Sequence, residues 1–243
     1  MKTMSKIAIF ATLIFSAPIV SNATALTSCG PNICYQYDDA QSAVSLYGMP
    51  TLIGDSMRFL PSVFRVESSN TTGLAFTATG NANFIFDQVW AITPGLEIGS
   101  VQITEAGDYS ISGDSAGNAD TVGVSLTTKV TDNASSESVS DTVNFSASGN
   151  TAGATIWSLQ GGAISPADVF SASAQNISIS IQNTLNATTD EFGGLAWIQK
   201  KFVVTVGTAV APTPVPEPAG LMLMLCGMGI AGVIAGRRRM VKK

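Results

Sequence analysis

Strict alternation of apolar and polar residues constrains the fold of this chain more than any other feature. Residues 122–130 (VGVSLTTKV) place three valines and a leucine in one phase of the alternation, and residues 176–183 (NISISIQN) place three isoleucines in one phase. Residues 139–145 (VSDTVNF) repeat the pattern, although Asp141 interrupts the apolar face. A period of two is the repeat of a β-strand, and one apolar face indicates a half-buried antiparallel strand.

Further runs of the same kind extend the pattern along the chain. We expect strands at residues 58–66, 74–79, 84–92, 98–104, 109–112, 155–159 and 195–206. Thr93-Pro94-Gly95, Ala106-Gly107-Asp108 and Gly113-Asp114 are expected turns between them. Within 84–92, Trp90 has the same phase as Phe84 and Phe86, which predicts core packing. Since no interior stretch has a helical period, we predict an all-β domain at 26–206, an antiparallel β-sandwich of jelly-roll-like type.

The first residues predict export. Lys2 and Lys6 precede the apolar run 7–15, and Pro18 and small residues follow, as in a secretory signal peptide at 1–25. Cleavage is expected to leave a mature chain that begins near Thr24 or Leu26. A retained anchor is the alternative, but nine helical residues reach only about 14 Å of a core of about 30 Å. A second alternative is lipidation at Cys29, within LTSC.

The last residues predict a short membrane span. Residues 219–236 lack charge, and a helix of that length reaches about 27 Å. Its basic cluster, which the positive-inside rule places in the cytoplasm, is Arg237, Arg238, Arg239, Lys242 and Lys243. Five glycines weaken this helix. An ordinary single-pass anchor and a helix-pairing face on Gly232 and Gly236 are the alternatives.

The motif Val215-Pro216-Glu217-Pro218, followed by a short span and an arginine-rich end, resembles the PEP-CTERM sorting signal of Gram-negative bacteria. The resemblance implies recognition by exosortase, a membrane-embedded cysteine transpeptidase that cuts near the motif. It also implies association with exopolysaccharide and biofilm. Residues 52–68 resemble an opening strand of several such proteins. Alternating prolines predict that residues 207–218 form an extended linker ahead of the span.

Charge and residue types exclude several functions. Residues 26–218 hold five cations against all seventeen carboxylates, so nucleic acid is not an expected partner. The sequence contains no histidine, which excludes histidine acid–base catalysis and histidine-bound metals. Cys29 and Cys34 are the two cysteines ahead of the tail and are expected to form a local disulfide in an oxidising compartment. Two thiolates alone do not complete a tetrahedral metal site.

Three candidate sites remain in the domain. Asp114, Asn118 and Asp120 lie in a glycine-bearing loop with oxygen donors that suit calcium, although a solvated turn explains them as well. Trp157 and Trp197 are candidate stacking platforms for sugar rings. Carboxylates that could form a glycosidase pair are Asp38, Asp39, Asp87, Asp108, Asp141, Asp190 and Glu191.

Together these features predict an exported, non-enzymatic protein of the cell surface or extracellular matrix, structural or adhesive in role. Its expected partners are signal peptidase, exosortase, the inner membrane during transit, and exopolysaccharide. No cofactor is expected apart from calcium. A lectin-like carbohydrate-binding module is the first alternative, and a carboxylate-based glycoside hydrolase is the second.

Overall fold

The computed structural model describes residues 24–113, 119–170, 174–190, 192–201 and 204–212. Most of the predicted signal peptide, the sorting motif, the predicted span, the basic tail, Asp114 and Asn118 lie outside these residues. The described residues are mostly strand, with two four-residue helices, α1 (Val44–Tyr47) and α2 (Pro166–Val169). In this part of the chain no helix is long and apolar enough to cross a membrane.

Two antiparallel sheets form a β-sandwich, which confirms the predicted all-β class. The first sheet has the order β1-β2-β6-β11-β8-β9. Its strands are β1 (Ala25–Cys29), β2 (Ile33–Asp38), β6 (Phe76–Ala91), β8 (Thr121–Asp132), β9 (Ser138–Ser148) and β11 (Asn176–Thr189). The second sheet has the order β3-β4-β13-β7-β12-β5, and β10 also pairs with β7. Its strands are β3 (Thr51–Ile53), β4 (Ser56–Phe59), β5 (Arg65–Ser69), β7 (Leu96–Ser112), β10 (Thr155–Gln160), β12 (Leu195–Lys200) and β13 (Val204–Pro212).

The alternating segments form the strands that the sequence predicts. Along β8 and β11 every second residue is buried, and the buried set includes Val122, Leu126 and Ile179. Apolar residues of β9 are half-buried against the same core. Aromatic rings fill one end of the core, where the centroids of Phe59 and Phe84 lie 4.8 Å apart at a steep angle. Burial of these side chains between the sheets is the main stabilising contribution.

The predicted turn at Ala106-Gly107-Asp108 is wrong, because β7 runs through these residues without a break. A Cβ at Gly107 would lie 1.9 Å from the carbonyl oxygen of Gln199 and 2.8 Å from Nε1 of Trp157. Gly107 is therefore required by close approach of a neighbouring strand and an indole ring, not by a turn. Glycine in the sequence marks both situations, and only the fold separates them.

The predicted inward position of Trp90 is also wrong. The register between β6 and β11 shifts between Ile177 and Ile179, and the register between β6 and β2 shifts nearby. After Phe86 the next buried residue of β6 is Val89, which leaves Trp90 half-buried in the opposite phase. A β-bulge adds one residue to a strand and so exchanges its two faces.

The predicted strands 74–79 and 84–92 form one strand, β6, and three further boundaries differ from the prediction. The predicted strand 58–66 is divided, since β4 ends at Phe59 and β5 begins at Arg65, on either side of Pro61. The predicted strand 195–206 is divided between β12 and β13. The predicted linker does not begin at residue 207, because β13 pairs with β7 as far as Pro212. The sandwich therefore extends six residues beyond its predicted end.

Candidate functional site

Four polar side chains meet in the core between the two sheets. Lys200 ends β12 and Glu105 lies on β7, so both belong to the second sheet. Asn183 lies on β11 of the first sheet, and Tyr47 ends helix α1. Each residue is at most 2% exposed. We call Lys200, Glu105, Asn183 and Tyr47 the interior polar cluster.

Strand phase explains how these polar residues come to be buried. Lys200 has the same phase on β12 as the buried residues Ala196 and Ile198. Glu105 has the phase of Val101 and Ile103 on β7. Asn183 follows the buried positions 177, 179 and 181 on β11. Because side chains at alternate positions share one face of a strand, the apolar neighbours carry all three polar groups into the core.

Hydrogen bonds connect the cluster across the gap between the sheets. The Nζ of Lys200 donates to Oε2 of Glu105 and to Oδ1 of Asn183, the latter at 2.6 Å. The Nδ2 of Asn183 donates to the hydroxyl of Tyr47 at 2.5 Å. Among the described residues, Oε1 of Glu105 has no hydrogen-bond partner. A buried carboxylate oxygen in that state is energetically costly, which marks this location as unusual.

Aromatic rings surround the lysine amine and keep its environment apolar. Its Nζ lies 5.6 Å from the ring centroid of Tyr47 and 5.9 Å from those of Phe64 and Trp157. Burial lowers the pKa of Lys200 from 10.5 to about 8, although the charge of Glu105 acts in the opposite direction. Burial, together with the charge of Glu105, raises the pKa of Tyr47 well above 10. Burial thus makes the neutral forms of the amine and the phenol easier to reach than they are in water.

The interior polar cluster is closed to outside molecules. The side chains of Lys200 and Glu105 are both 0% exposed. A site for an external substrate needs an open cleft in which the ligand can contact the reactive groups. Any chemistry in this cluster is therefore confined to the side chains that already line it.

The structure corrects the prediction of sugar stacking for Trp157. This residue is 2% exposed, its Nε1 donates to the carbonyl oxygen of Gln199 at 3.2 Å, and its ring stacks on Phe145. Trp197 is half-buried, and the guanidinium of Arg65 covers its ring at 4.3 Å from the centroid. Trp157 thus belongs to the core wall beside Lys200, and Trp197 is paired with a cation of its own chain.

Cys29 and Cys34 are joined by a disulfide, with their Cα atoms 4.0 Å apart. They are opposite one another at the end of the β1–β2 pair, so the bond closes the hairpin where its turn begins. The loop that it closes is short, and the expected stabilisation is correspondingly small.

The candidate calcium ligands are only partly described. Asp114 and Asn118 lie outside the described residues, whereas Asp120 is buried and its Oδ1 accepts a hydrogen bond from the amide of Asp190 at 2.8 Å. Within the described ranges, no three His, Cys, Asp or Glu side chains gather into a group that could hold a metal ion. Asp120 therefore has a structural contact in the place where a calcium ligand was predicted.

Among the candidate carboxylates, Glu191 lies outside the described residues, and the others are dispersed over the sandwich. Asp141 accepts a hydrogen bond from the amide of Gly162 at 2.8 Å, and Asp108 pairs with Lys201 at 3.3 Å. Asp38 accepts from the amide of its own turn at Ala40. Asp87 is the one whose pKa is raised, by burial first and then by the nearby charge of Asp38. Asp38 is the last residue of β2, and Asp87 lies within the neighbouring strand β6.

The outer face of the first sheet carries a regular set of hydroxyl and amide side chains, which we call the hydroxyl–amide face. It consists of cross-strand pairs between β6 and β11, each joined by a side-chain hydrogen bond. The pairs are Thr77–Thr188, Thr79–Asn186, Asn81–Thr184 and Asn83–Ser180, at 2.8 to 2.9 Å. Such cross-strand pairs stabilise a sheet and leave an exposed, uncharged polar surface.

No protein-family model matches the sequence, and no curated protein matches it. Two solved structures that align with the chain are of infectious bursal disease virus. The Gx strain structure is 11% identical, with 86% of this chain and 56% of that chain covered and a TM-score of 0.27. The Gt strain structure is 10% identical, with 88% and 56% covered and a TM-score of 0.26. The chain thus spans little more than half of those chains, and likeness at these scores supports no inference about function.

Proposed function

We propose that this chain is an exported, non-enzymatic component of the cell surface or extracellular matrix, sorted and processed by exosortase. The observation that carries the proposal is the order of the C-terminal features: the motif 215–218, the uncharged segment 219–236 and the basic cluster 237–243. Signal peptidase removes the N-terminal segment, and the tail holds the protein in the inner membrane until it is processed. A helix of the short, glycine-rich segment is a weak permanent anchor, which suits a temporary role.

The architecture of the domain supports a structural role. The hydroxyl–amide face offers rows of uncharged donors and acceptors, which match the hydroxyl groups of a hydrated polysaccharide better than a cationic or apolar surface does. The strongly perturbed groups of the core are sealed from solvent, as expected for groups that hold a domain together. We further propose a jelly-roll-like arrangement of the two sheets and a single membrane helix at 219–236.

Substitution of Pro216, Glu217 and Pro218 together by alanine tests the sorting step in the native host. Full-length protein should accumulate in the inner membrane, and the shortened product in the extracellular polymer fraction should fall at least tenfold. Pro214→Ala is the matched control, since it removes a proline of the same linker outside the motif, and its product should be processed normally. Cell fractionation with an antibody against the sandwich measures both forms. Unchanged release of the shortened product by the triple variant would exclude exosortase sorting through this motif.

The same fractions separate the proposed role from its alternatives. A matrix component should leave the polymer fraction when residues 215–243 are deleted, and it should release no reducing ends from the polysaccharide. Discrete affinity of the purified protein for one glycan, lost on Trp197→Ala, would replace the structural role by a lectin-like role. Release of reducing ends would replace it by a hydrolase.

A further inference from the structure

We propose that Lys200 and Asn183 join in an intramolecular isopeptide bond, formed without an external enzyme and with Glu105 as the proton carrier. The bond would link Nζ of Lys200 to Cγ of Asn183 and release the side-chain nitrogen of Asn183 as ammonia. This inference stands on contacts inside the sandwich and does not depend on the proposed export and sorting. It assigns a covalent role to the interior polar cluster.

The reacting atoms are already close. The Nζ of Lys200 lies 2.6 Å from Oδ1 of Asn183. Because a carbonyl bond is about 1.23 Å long, Cγ of Asn183 is at most about 3.8 Å from Nζ. That is near the separation of about 3–3.5 Å at which a nucleophile attacks, so a small side-chain rotation completes the approach. Both residues lie on strands that are held in place by their sheets, so the two side chains stay in contact.

The nucleophile must be a neutral amine, and the core lowers the cost of forming one. Lys200 is 1% exposed and is surrounded by the rings of Tyr47, Phe64 and Trp157, so its charged form has lost the stabilisation of water. Its pKa is lowered to about 8. Glu105 contacts the same nitrogen through Oε2 and can take its proton, which leaves an amine beside a carboxylic acid. Buried lysines of this kind act as nucleophiles in other chemistry as well.

The proton balance closes within the cluster. The amine attacks Cγ of Asn183, a carbon–nitrogen bond forms, and the carbonyl electrons move to Oδ1. The tetrahedral intermediate then collapses as the bond between Cγ and Nδ2 breaks. The attacking nitrogen loses one proton and the leaving nitrogen gains one, and Glu105 carries it between them. The products are a secondary amide and ammonia, and no oxidant or other reactant is required.

The surroundings favour the forward reaction and protect the product. Tyr47 accepts a hydrogen bond from Nδ2 of Asn183 at 2.5 Å, which orients the amide with its carbonyl toward Lys200, so Tyr47 is a positioning residue. Ammonia is lost to bulk water by dilution, whereas the new amide stays in the core. Hydrolysis needs a water molecule at the carbonyl, and the residues around it are at most 2% exposed. The bond would therefore persist once it forms.

The bond would connect the two layers of the fold. Asn183 belongs to the first sheet and Lys200 to the second, so separation of the sheets would require cleavage of a covalent bond. The disulfide between Cys29 and Cys34 cannot do this, because both cysteines lie on neighbouring strands of one sheet. An amide cross-link also withstands reducing conditions that open a disulfide.

Peptide mapping of the full-length chain tests the bond directly. Trypsin and a glutamate-specific protease separate Asn183 and Lys200, since Glu191 lies between them. Without the bond, residues 138–191 and 192–200 appear as two peptides. With it, trypsin cuts after Lys201 instead of Lys200, and residues 138–191 and 192–201 appear as one branched species that is lighter by one ammonia than the sum of those two peptides. Two separate peptides with intact Asn183 and Lys200, from chain shown to be folded by circular dichroism, would overturn the proposal.

Four variants distinguish a reaction from a merely structural contact. Asn183→Asp should still form the bond but lose water instead of ammonia, a difference that a structural role does not produce. Lys200→Arg and Glu105→Gln should give unlinked peptides in at least nine tenths of folded chain. Lys201→Arg is the matched control and should cross-link as the original does. Full cross-linking in the folded Glu105→Gln variant would remove Glu105 from the mechanism, and loss of the bond in Lys201→Arg would contradict the assignment to Lys200.

Discussion

Two consecutive lysines form ion pairs with carboxylates of β7, and the two pairs lie in opposite environments. Lys200 and Glu105 have fully buried side chains, whereas Lys201 is 56% exposed and its partner Asp108 is 11% exposed. The inner pair also contacts the amide of Asn183. The two lysines are consecutive in sequence, and both carboxylates lie on β7. The main difference between the two ion pairs is therefore how deeply they are buried.

The comparison shows that environment, more than residue type, creates reactivity. In the inner pair desolvation lowers the pKa of Lys200, and the side-chain amide of Asn183 contacts its amine. In the outer pair water reaches the exposed Lys201 and screens its charge, and a pair with one exposed member contributes little to stability. A lysine therefore becomes a nucleophile here because its strand phase takes it into the core beside an amide.

The largest expected effect is the loss of the inner lysine. Lys200→Ala removes the amine that forms the cross-link between the two sheets. Loss of a cross-link over a short loop should lower the free energy of unfolding by about 3 kcal/mol. Lys201→Ala is the matched control at the next position and should cost under about 1 kcal/mol. Guanidinium unfolding of both variants measures the difference, and equal effects would show that burial does not distinguish the pairs.

A second prediction concerns the glycine between the two carboxylates. Gly107→Ala would place a methyl group 1.9 Å from the carbonyl oxygen of Gln199, so β7 and β12 must separate. We expect a loss of about 3 kcal/mol, since overpacking against backbone is poorly relieved. Gly123→Ala is the control, because its nearest described atom, the carbonyl oxygen of Phe145, is 3.4 Å away. Thermal unfolding should rank the two variants in this order, and a stable Gly107→Ala protein would contradict the close contact.

The third prediction sharpens the contrast through pH. In Asn183→Leu the amine of Lys200 stays free, and its folded pKa of about 8 lies below the ordinary 10.5. The unfolded chain then binds more protons above pH 8, so stability should rise by about 2 kcal/mol between pH 8 and 9.5. The original chain should lack this rise, because an amide nitrogen does not titrate. Urea unfolding across this range measures it.

Three tyrosines set the highest pH at which this unfolding measurement reports on Lys200 alone. The pKa values of Tyr35, Tyr37 and Tyr47 are all raised above 10, chiefly by burial. A raised folded pKa gives stability that is present below pH 10 and lost above it, so measurements there would mix opposite effects. An identical rise in the original chain and in Asn183→Leu would show that Lys200 is free in both.

The fold could be predicted where alternation was unbroken. The apolar positions of β8 and β11 are buried as the sequence indicates. Prediction failed where a tertiary contact decided the local structure. Gly107 was predicted in a turn, but it is required because the backbone of Gln199 lies close to it. Trp90 was predicted to point inward, but a β-bulge in β6 reverses its direction. Residues 207–212 pair with β7 although Pro212 and the small residues before it suggest a linker. Contacts between residues far apart in sequence carry no signal in a local pattern.

The interior polar cluster left a signal that the sequence analysis missed. Glu105, Asn183 and Lys200 each occupy the apolar phase of an alternating strand, where a polar residue is exceptional. Asp141 was noticed for this reason, yet it lies on an edge strand and bonds to the backbone of Gly162. The position of a residue in the alternation of its strand shows whether its side chain points inward. The packing of the two sheets is needed to show that Glu105, Asn183 and Lys200 meet.

An atomic-resolution crystal structure of the exported protein tests the covalent assignment most directly, at the contact between Lys200 and Asn183. The account predicts continuous density from Nζ to Cγ at an amide bond length of about 1.33 Å, with one nitrogen missing from Asn183. Separate groups at a non-bonded distance, with an intact carboxamide on Asn183, would contradict it.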